Sequence, residues 1–269
     1  MKQLLNYWYT IKHLRFQQLY SRIFFKLFIP KPDFKKPPPL RLRRRDWITA
    51  ASHRPSLIGP KEFLFLNQKG DLRSIGWSGS ERSKLWRYNQ HYFDDFTAEN
   101  YSKRKKWHYQ ILDDWIDNNP PGLGIGWDPY PTSLRLVNVV KWRLMGNLLS
   151  NKILYSLAIQ ARWITKRLEL HLLGNHLFSN AKALIFSGLL FDGAEANEWL
   201  ERGVALITRE LSEQILSDGG HFELSPMYHR IILEDLLDLI NVISIYDSKI
   251  TDVLERELRT NAVKMLKWM

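Results

Sequence analysis

The alternation of apolar and polar positions divides the chain into a long helical body and a short β-rich stretch ahead of it. From about residue 90 onward apolar residues recur at three- and four-residue spacing, as in helices with one buried face. This pattern predicts helices over roughly 90–97, 102–118, 133–148, 151–170, 176–191, 195–216, 226–246 and 249–269. Asn119-Pro120-Pro121-Gly122, Gly174, Asp192-Gly193 and Asp218-Gly219-Gly220 punctuate it. Before the body, Phe63-Leu64-Phe65-Leu66 and residues 72–77 flank Asn67-Gln68-Lys69-Gly70, which predicts a small β-hairpin near residues 61–77. Residues 30–40, with Pro37-Pro38-Pro39, read as an extended connector, because proline fixes φ and lacks an amide N–H.

Very short links such as Asp192-Gly193 join antiparallel neighbours, so the body is a chain of helical hairpins. Residues 181–191 and 231–245 are broadly apolar, whereas 195–216 and 249–267 alternate charge freely. Apolar helices inside and charged helices outside describe an all-α, incomplete (α/α) toroid over residues 46–269. A simple α-solenoid is the alternative. Residues 1–45 form a separate basic amphipathic helix and proline-rich linker.

Residues 1–29 are aromatic and apolar, but Lys12, Arg15, Arg22 and Lys26 interrupt them. They suit neither a secretory core nor a membrane span, so no signal peptide is evident and a cytoplasmic location is expected. The segment either packs on the body or makes peripheral contact with an anionic membrane surface.

Composition narrows the chemistry further. There are no cysteines, which excludes disulfides, thiolate metal sites and cysteine nucleophiles. Net charge is +11, and residues 31–45 and 103–106 hold much of the excess, as a solvated linker and helix face in the simplest reading. Such a field favours anionic partners. Eleven tryptophans suit both a packed core and contact with sugar rings.

The chemistry-bearing residues gather at three helix starts. The proposed inner helices begin near Thr132, Asn175 and Ser225, about one helical hairpin apart, and successive inner helices of a toroid run in the same direction. Their N-termini therefore meet at one rim. The first start holds Trp127, Asp128, Tyr130 and Arg135, the second Gly174-Asn175-His176, and the third His221, Glu223, Tyr228 and His229. Ser225-Pro226 is a good cap and first-turn pair, which sets Tyr228 and His229 where the helix dipole is positive. Such an end attracts a carboxylate and favours a nearby phenolate. Taken singly, Asn175 reads as an N-cap, and His176 and His229 as core histidines.

A rim of this kind suits β-elimination in a uronate polymer. Removing the C5 proton, alpha to the carboxylate, first requires that the carboxylate be neutralised, a task for Asn175, His176 and Arg135. Tyr228 could then act as base or acid, with His229 or His176 in the complementary role. The chemistry requires no cofactor and no metal.

Four segments in order resemble the heparinase II/III-like polysaccharide lyases, a family with relatives that act on alginate. They are Leu85-Trp86-Arg87-Tyr88-Asn89-Gln90-His91-Tyr92-Phe93-Asp94, residues 127–135, Gly174-Asn175-His176 and residues 223–229, and the resemblance covers roughly residues 60–269. The resemblance implies an N-terminal (α/α) toroid followed by a β-sandwich domain. It makes Asn175 the catalytic Asn, His176 its neighbouring His and Tyr228 the catalytic Tyr. It also makes Asn89, His91, Trp127, Tyr130, Arg135, His221 and Glu223 candidates for contact with an acidic polysaccharide. Family members usually add a further catalytic His or Tyr from beyond this point, so the chain is expected to carry part of a site and to show weak or no activity alone. Family lyases are often periplasmic, which is the alternative location.

Two rival readings stand beside the lyase. A uronate C5-epimerase abstracts the same proton and returns it to the other face. A non-catalytic glycan-binding or assembly protein of polysaccharide biosynthesis needs no reaction at all. Nucleic-acid binding rests on charge alone, and no nucleic-acid motif supports it.

Overall fold

The protein is described by a computed structural model covering residues 16–48, 53–79, 81–246 and 248–269. Helix α1 (Phe16–Leu27) precedes the connector, and strands β1 (Leu57–Gly59), β2 (Glu62–Phe65) and β3 (Gln68–Asp71) follow it. Then come a single turn α2 (Leu72–Ile75), α3 (Lys84–Gln90) and α4 (Lys105–Asn118). The body continues as α5 (Pro129–Leu144), α6 (Asn151–Lys166), α7 (Gly174–Leu190), α8 (Ala194–Gln214), α9 (Pro226–Tyr246) and α10 (Asp252–Trp268).

The helices form the expected two layers. Helices α5, α7 and α9 pack side by side as an inner row, with α4 against α6 and α8 against α10 outside. Every side chain of α7 from Leu177 to Leu190 is buried, because outer helices cover one face and inner neighbours the others. Each inner helix is followed by an outer helix that returns the chain, which brings the three inner N-termini to one end. This is a partial (α/α) toroid.

The predicted hairpin is present within a larger sheet, and its second strand comes earlier than expected. The sheet is three-stranded and antiparallel, of order β1-β2-β3, and β2 pairs with β3 from Glu62 opposite Asp71 to Phe65 opposite Gln68. The turn is Leu66-Asn67, both at positive φ, so the stretch read as a loop is the third strand. Gly70 owes its place to packing, since a Cβ there would lie 2.4 Å from the Trp86 ring. Residues 72–75 are helical, and the Asp71 carboxylate accepts from the Arg73 N–H at their start.

The basic connector is strapped to the body. Leu40 bridges to Phe191, and Arg41 donates to the carbonyls of Phe191 and Gly188 and to Asn197. Arg162 of α6 donates to the carbonyls of Lys35 and Lys36 while forming a bidentate pair with Glu195. Arg162 thus satisfies backbone carbonyls of the extended segment, which has no ladder of its own, and Arg41 satisfies carbonyls at the C-terminal end of α7. The first half of the expected N-terminal helix, residues 1–15, lies outside the described residues.

Helices α7 and α8 approach closely through two glycines. A Cβ at Gly203 would lie 2.7 Å from the Ile185 side chain and 2.9 Å from the Ala181 carbonyl oxygen; at Gly188 it would lie 2.7 Å from the Ala196 carbonyl. Backbone atoms of a packed helix pair cannot yield independently. Gly203→Ala is therefore expected to destabilise the protein by about 1–3 kcal/mol, read from urea midpoints, and an unchanged midpoint would refute this packing account.

Candidate active site

The second helix start holds an oriented histidine beside a free amide. Gly174 opens α7, two residues before the predicted 176, and Leu173 occupies the cap position without a side-chain cap bond. Asn175 is thus inside the first turn, and the N-cap reading of it is set aside. Its amide is half-buried and makes no hydrogen bond among the described residues. The neighbouring His176 directs Nδ1 to the Glu169 carboxylate at 3.2 Å. A carboxylate accepts, so Nδ1–H donates and Nε2 is left outward. Glu169 is itself buried and fixed by Asn180, which donates to Oε2 at 3.1 Å and accepts from the Glu169 N–H at 2.8 Å.

Backbone strain marks the same place. Leu173 has φ 61° and ψ −155°, a region populated almost only by glycine. Leu224, just before α9, also has a positive φ of 52°. Non-glycine residues held so cost on the order of 1–3 kcal/mol each and concentrate at functional sites.

The other starts converge on this turn. The Tyr130 ring of α5 lies 4.5 Å from the His176 ring and edge-on to Tyr92, continuing to Tyr88. Burial, with Asp235, Asp94, Glu169 and Tyr228 adding their fields, raises the Tyr130 phenol well above its ordinary value, so it stays protonated. Glu223 reaches across from the loop before α9: a Cβ on Gly174 would lie 3.7 Å from its Oε1. Tyr228, in the first turn of α9, is half-buried, its ring is 6.2 Å from that of His221, and its hydroxyl has no hydrogen-bond partner among the described residues. Beside His176 a cleft of about 510 Å³ runs between Tyr88, Asp128, His171 and Phe25 of α1. The Asp128 carboxylate accepts from the Tyr88 hydroxyl, and burial, helped by this bond, pushes that phenol upward as well.

Several expected site residues lie in the core instead. Arg135 is fully buried and its donors are engaged by Gln160 Oε1, the His91 carbonyl and Thr132 Oγ1. Its guanidinium lies 3.7 Å from the Trp115 ring centre, so the cation is held by an aromatic face with no substrate-facing donor left. His91 is buried, accepts from the Trp115 indole and is driven down to about 3 by desolvation, which keeps it neutral. Trp127 is buried with its N–H on the Asn119 carbonyl. His229 turns away from the rim: Nε2–H donates to the Met265 carbonyl at 3.1 Å and the ring stacks on Trp268, joining α9 to α10. His221 is buried against Gln214 and is lowered to about 4 by desolvation. Asn89 is half-buried and bonds back to the Leu85 carbonyl at 2.8 Å. The rim groups open to a ligand are therefore Asn175, His176, Tyr228, Tyr130 and Glu223.

Two features were not read from the sequence. One is Glu169, the orienting partner of His176. The other is an ionic cluster beneath the rim, in which Lys182 of α7 meets Asp235 at 2.7 Å and Asp238 at 2.6 Å, and Lys141 of α5 meets Asp238 at 2.8 Å. Burial opposes the charge on Lys182, but the two carboxylates outweigh it and raise the ammonium above its usual value. A cavity of about 100 Å³ adjoins the cluster and reaches His53 and Glu234. The sequence signal was a lysine inside Ala181-Lys182-Ala183 and the acidic set Glu234, Asp235 and Asp238 in a helix read as apolar.

With this geometry stated, relatives can be compared. The sequence profile described as Heparinase II/III N-terminus matches residues 80–268. The chain belongs to this family. A heparin-sulfate lyase of Pedobacter heparinus is 27% identical over 161 residues, covering 55% of this chain and 24% of that protein. One from Bacteroides stercoris is 35% identical over 74 residues, 27% of this chain and 11% of its own length. The structure of a heparan sulfate lyase mutant from Pedobacter heparinus superposes with TM-score 0.53 at 18% identity, covering 93% of this chain and 42% of that one. A heparinase III structure gives 0.55 at 20% identity, with 78% and 38% covered. The chain thus spans well under half the length of these relatives, and the structural likeness establishes the shared toroid.

The cluster and the His53–Glu234 pair across the adjoining cavity each supply a prediction. Asp238→Ala strips both lysines of their shared carboxylate in a buried setting and is expected to cost about 3–5 kcal/mol in denaturant titration. A loss below about 1 kcal/mol would count against the cluster as a structural element. The His53–Glu234 bond (2.7 Å) raises the imidazole above its usual value, while the same bond and the His53 charge, against desolvation, lower the Glu234 carboxyl. The raised His53 contributes stability that is complete below about pH 6.5 and fades as pH climbs through its folded value. The depressed Glu234 contributes above its unfolded value and fades as pH falls through the folded one. Glu234→Gln is expected to flatten the Tm-versus-pH curve around and above neutrality; a slope equal to the parent's would refute the pairing.

Proposed function

We propose that this chain carries part of the active site of a polysaccharide lyase that cleaves a uronate-containing acidic polymer by β-elimination. The observation that supports the reading is a free amide at Asn175 beside an oriented His176 at a strained helix start, with Tyr130 against His176 and within the field of Tyr228, whose hydroxyl is unpartnered among the described residues. Asn175 would hold the substrate carboxylate, together with the uncapped N–H groups of α7, and so stabilise the enolate that forms, while His176, whose Nδ1–H is held by Glu169, turns its Nε2 lone pair to the site. A base takes the C5 proton, and the C–H electron pair becomes the C4–C5 double bond. The C4–O bond then breaks, and the departing oxygen receives a proton. Tyr228 serves one of these proton transfers, and either His176 or a group supplied beyond the described residues serves the other. Arg135 has no part in this scheme, since its donors are engaged in the core.

The test is made on the full gene product with a panel of uronate polymers, following ultraviolet absorbance of the conjugated unsaturated end. Absorbance should appear with at least one polymer, and Tyr228→Phe should lower turnover by roughly 10²–10⁴-fold with little change in binding. Solvent deuterium entering C5 without absorbance would replace the lyase by an epimerase. Binding that is unaffected by Tyr228→Phe, with neither exchange nor absorbance, would leave a glycan-binding protein and overturn the proposal.

A further inference from the structure

Helix α1 turns its apolar stripe away from the protein. Phe16, Tyr20, Ile23, Phe24 and Leu27 recur at helical spacing and are 83%, 63%, 61%, 47% and 82% exposed. Along the same side the rings of Tyr20, Phe24 and Phe28 stack in sequence. The opposite side, with the half-buried Gln18, Ser21 and Phe25, faces the body. There Arg167 anchors the helix: its guanidinium lies 3.5 Å from the Phe25 ring centre, and Nη1 donates to the carbonyls of Phe25 and Phe28 at 2.7 Å each. The stripe is thus presented outward by a fixed attachment.

Its charge setting selects an occupant. Residues 1–32 contain Lys2, Lys12, Arg15, Arg22, Lys26 and Lys31 and no aspartate or glutamate. Two copies pairing through their stripes would bring these cations together without offsetting acids. No helix among the described residues is long and apolar enough to cross a membrane. A short helix with one aromatic face and basic flanks lies instead in the plane of a lipid surface, rings in the acyl–headgroup boundary and cations on anionic headgroups. We propose that α1 docks this protein on an anionic lipid bilayer. The inference is independent of the lyase reading.

The experiment is co-sedimentation of the full chain with vesicles of phosphatidylcholine alone or of phosphatidylcholine with phosphatidylglycerol. Binding is expected to the anionic vesicles, to weaken with added salt, and to fall about tenfold or more in Ile23→Glu/Leu27→Glu. Both side chains are exposed, so the circular dichroism and Tm of the variant should match the parent and separate lost docking from lost folding. Absence of binding to anionic vesicles would overturn the proposal, as would equal binding by the double variant. A parent dimer that the double variant converts to monomer, with no vesicle binding, would assign the stripe to a second copy and overturn it too.

Discussion

Lys182 stands near the middle of the central inner helix with two carboxylates of α9 in contact, and one of these also takes Lys141 from α5. Three helices that otherwise meet through interchangeable aliphatic surfaces are thereby tied at one level. Apolar packing alone tolerates sliding of one helix on another, whereas misaligned charges here would be left buried and unpaired. The cluster thus fixes the axial register of α5, α7 and α9, and their N-termini are consequently level. Without that register Tyr130, His176 and Tyr228 would not share a rim.

The polar groups near this rim divide by whether their hydrogen-bonding capacity is already used. Arg135, His91, His221 and His229 all have partners in the core, and His91 and His221 are held neutral by burial. Their work is to join elements: Arg135 ties α5 to α6 and the α3 end, and His229 ties α9 to α10. Asn175 and the Tyr228 hydroxyl, by contrast, retain unused capacity beside solvent. Glu169 occupies an intermediate place, since it is buried yet controls which nitrogen of His176 faces outward. Strain at Leu173 is consistent with this division, because the backbone there is held by its surroundings rather than by local preference.

The helical body was legible because each hairpin carries its own amphipathic period and its own glycine or proline punctuation. The rim was legible because the period of the hairpins puts Thr132, Asn175 and Ser225 at equivalent places. The fate of individual side chains was not legible. A histidine in a first turn faces the rim or the next helix according to a rotation of about 100° per residue, so neighbouring Tyr228 and His229 point to different surroundings. The partners that decide this, Met265 and Trp268, lie far along the chain. The hairpin itself was legible, but its second strand was read too late in the chain, for a related reason. Gly70 looks like a turn residue locally, and only the Trp86 ring above it explains a glycine in a strand.

Under the proposed function, an anionic polymer approaching the rim would meet carboxylates as well as donors, so its selection would need an account beyond the net charge of +11. Asp128 already accepts the Tyr88 hydroxyl and lies 3.8 Å from Lys84, and Glu169 is covered by His176 and Asn180. Both charges are therefore partly neutralised within the protein, leaving the exposed Glu223 as the carboxylate an acidic ligand must avoid. Against it stands the first turn of α7, where no side chain caps the N–H groups and Asn175 adds an unused amide. Neutral donors in a fixed array retain their strength where mobile surface cations are screened by salt. Under the proposed function, long-range charge would gather the polymer, and the uncapped turn would be the feature able to choose a carboxylate at one position along it.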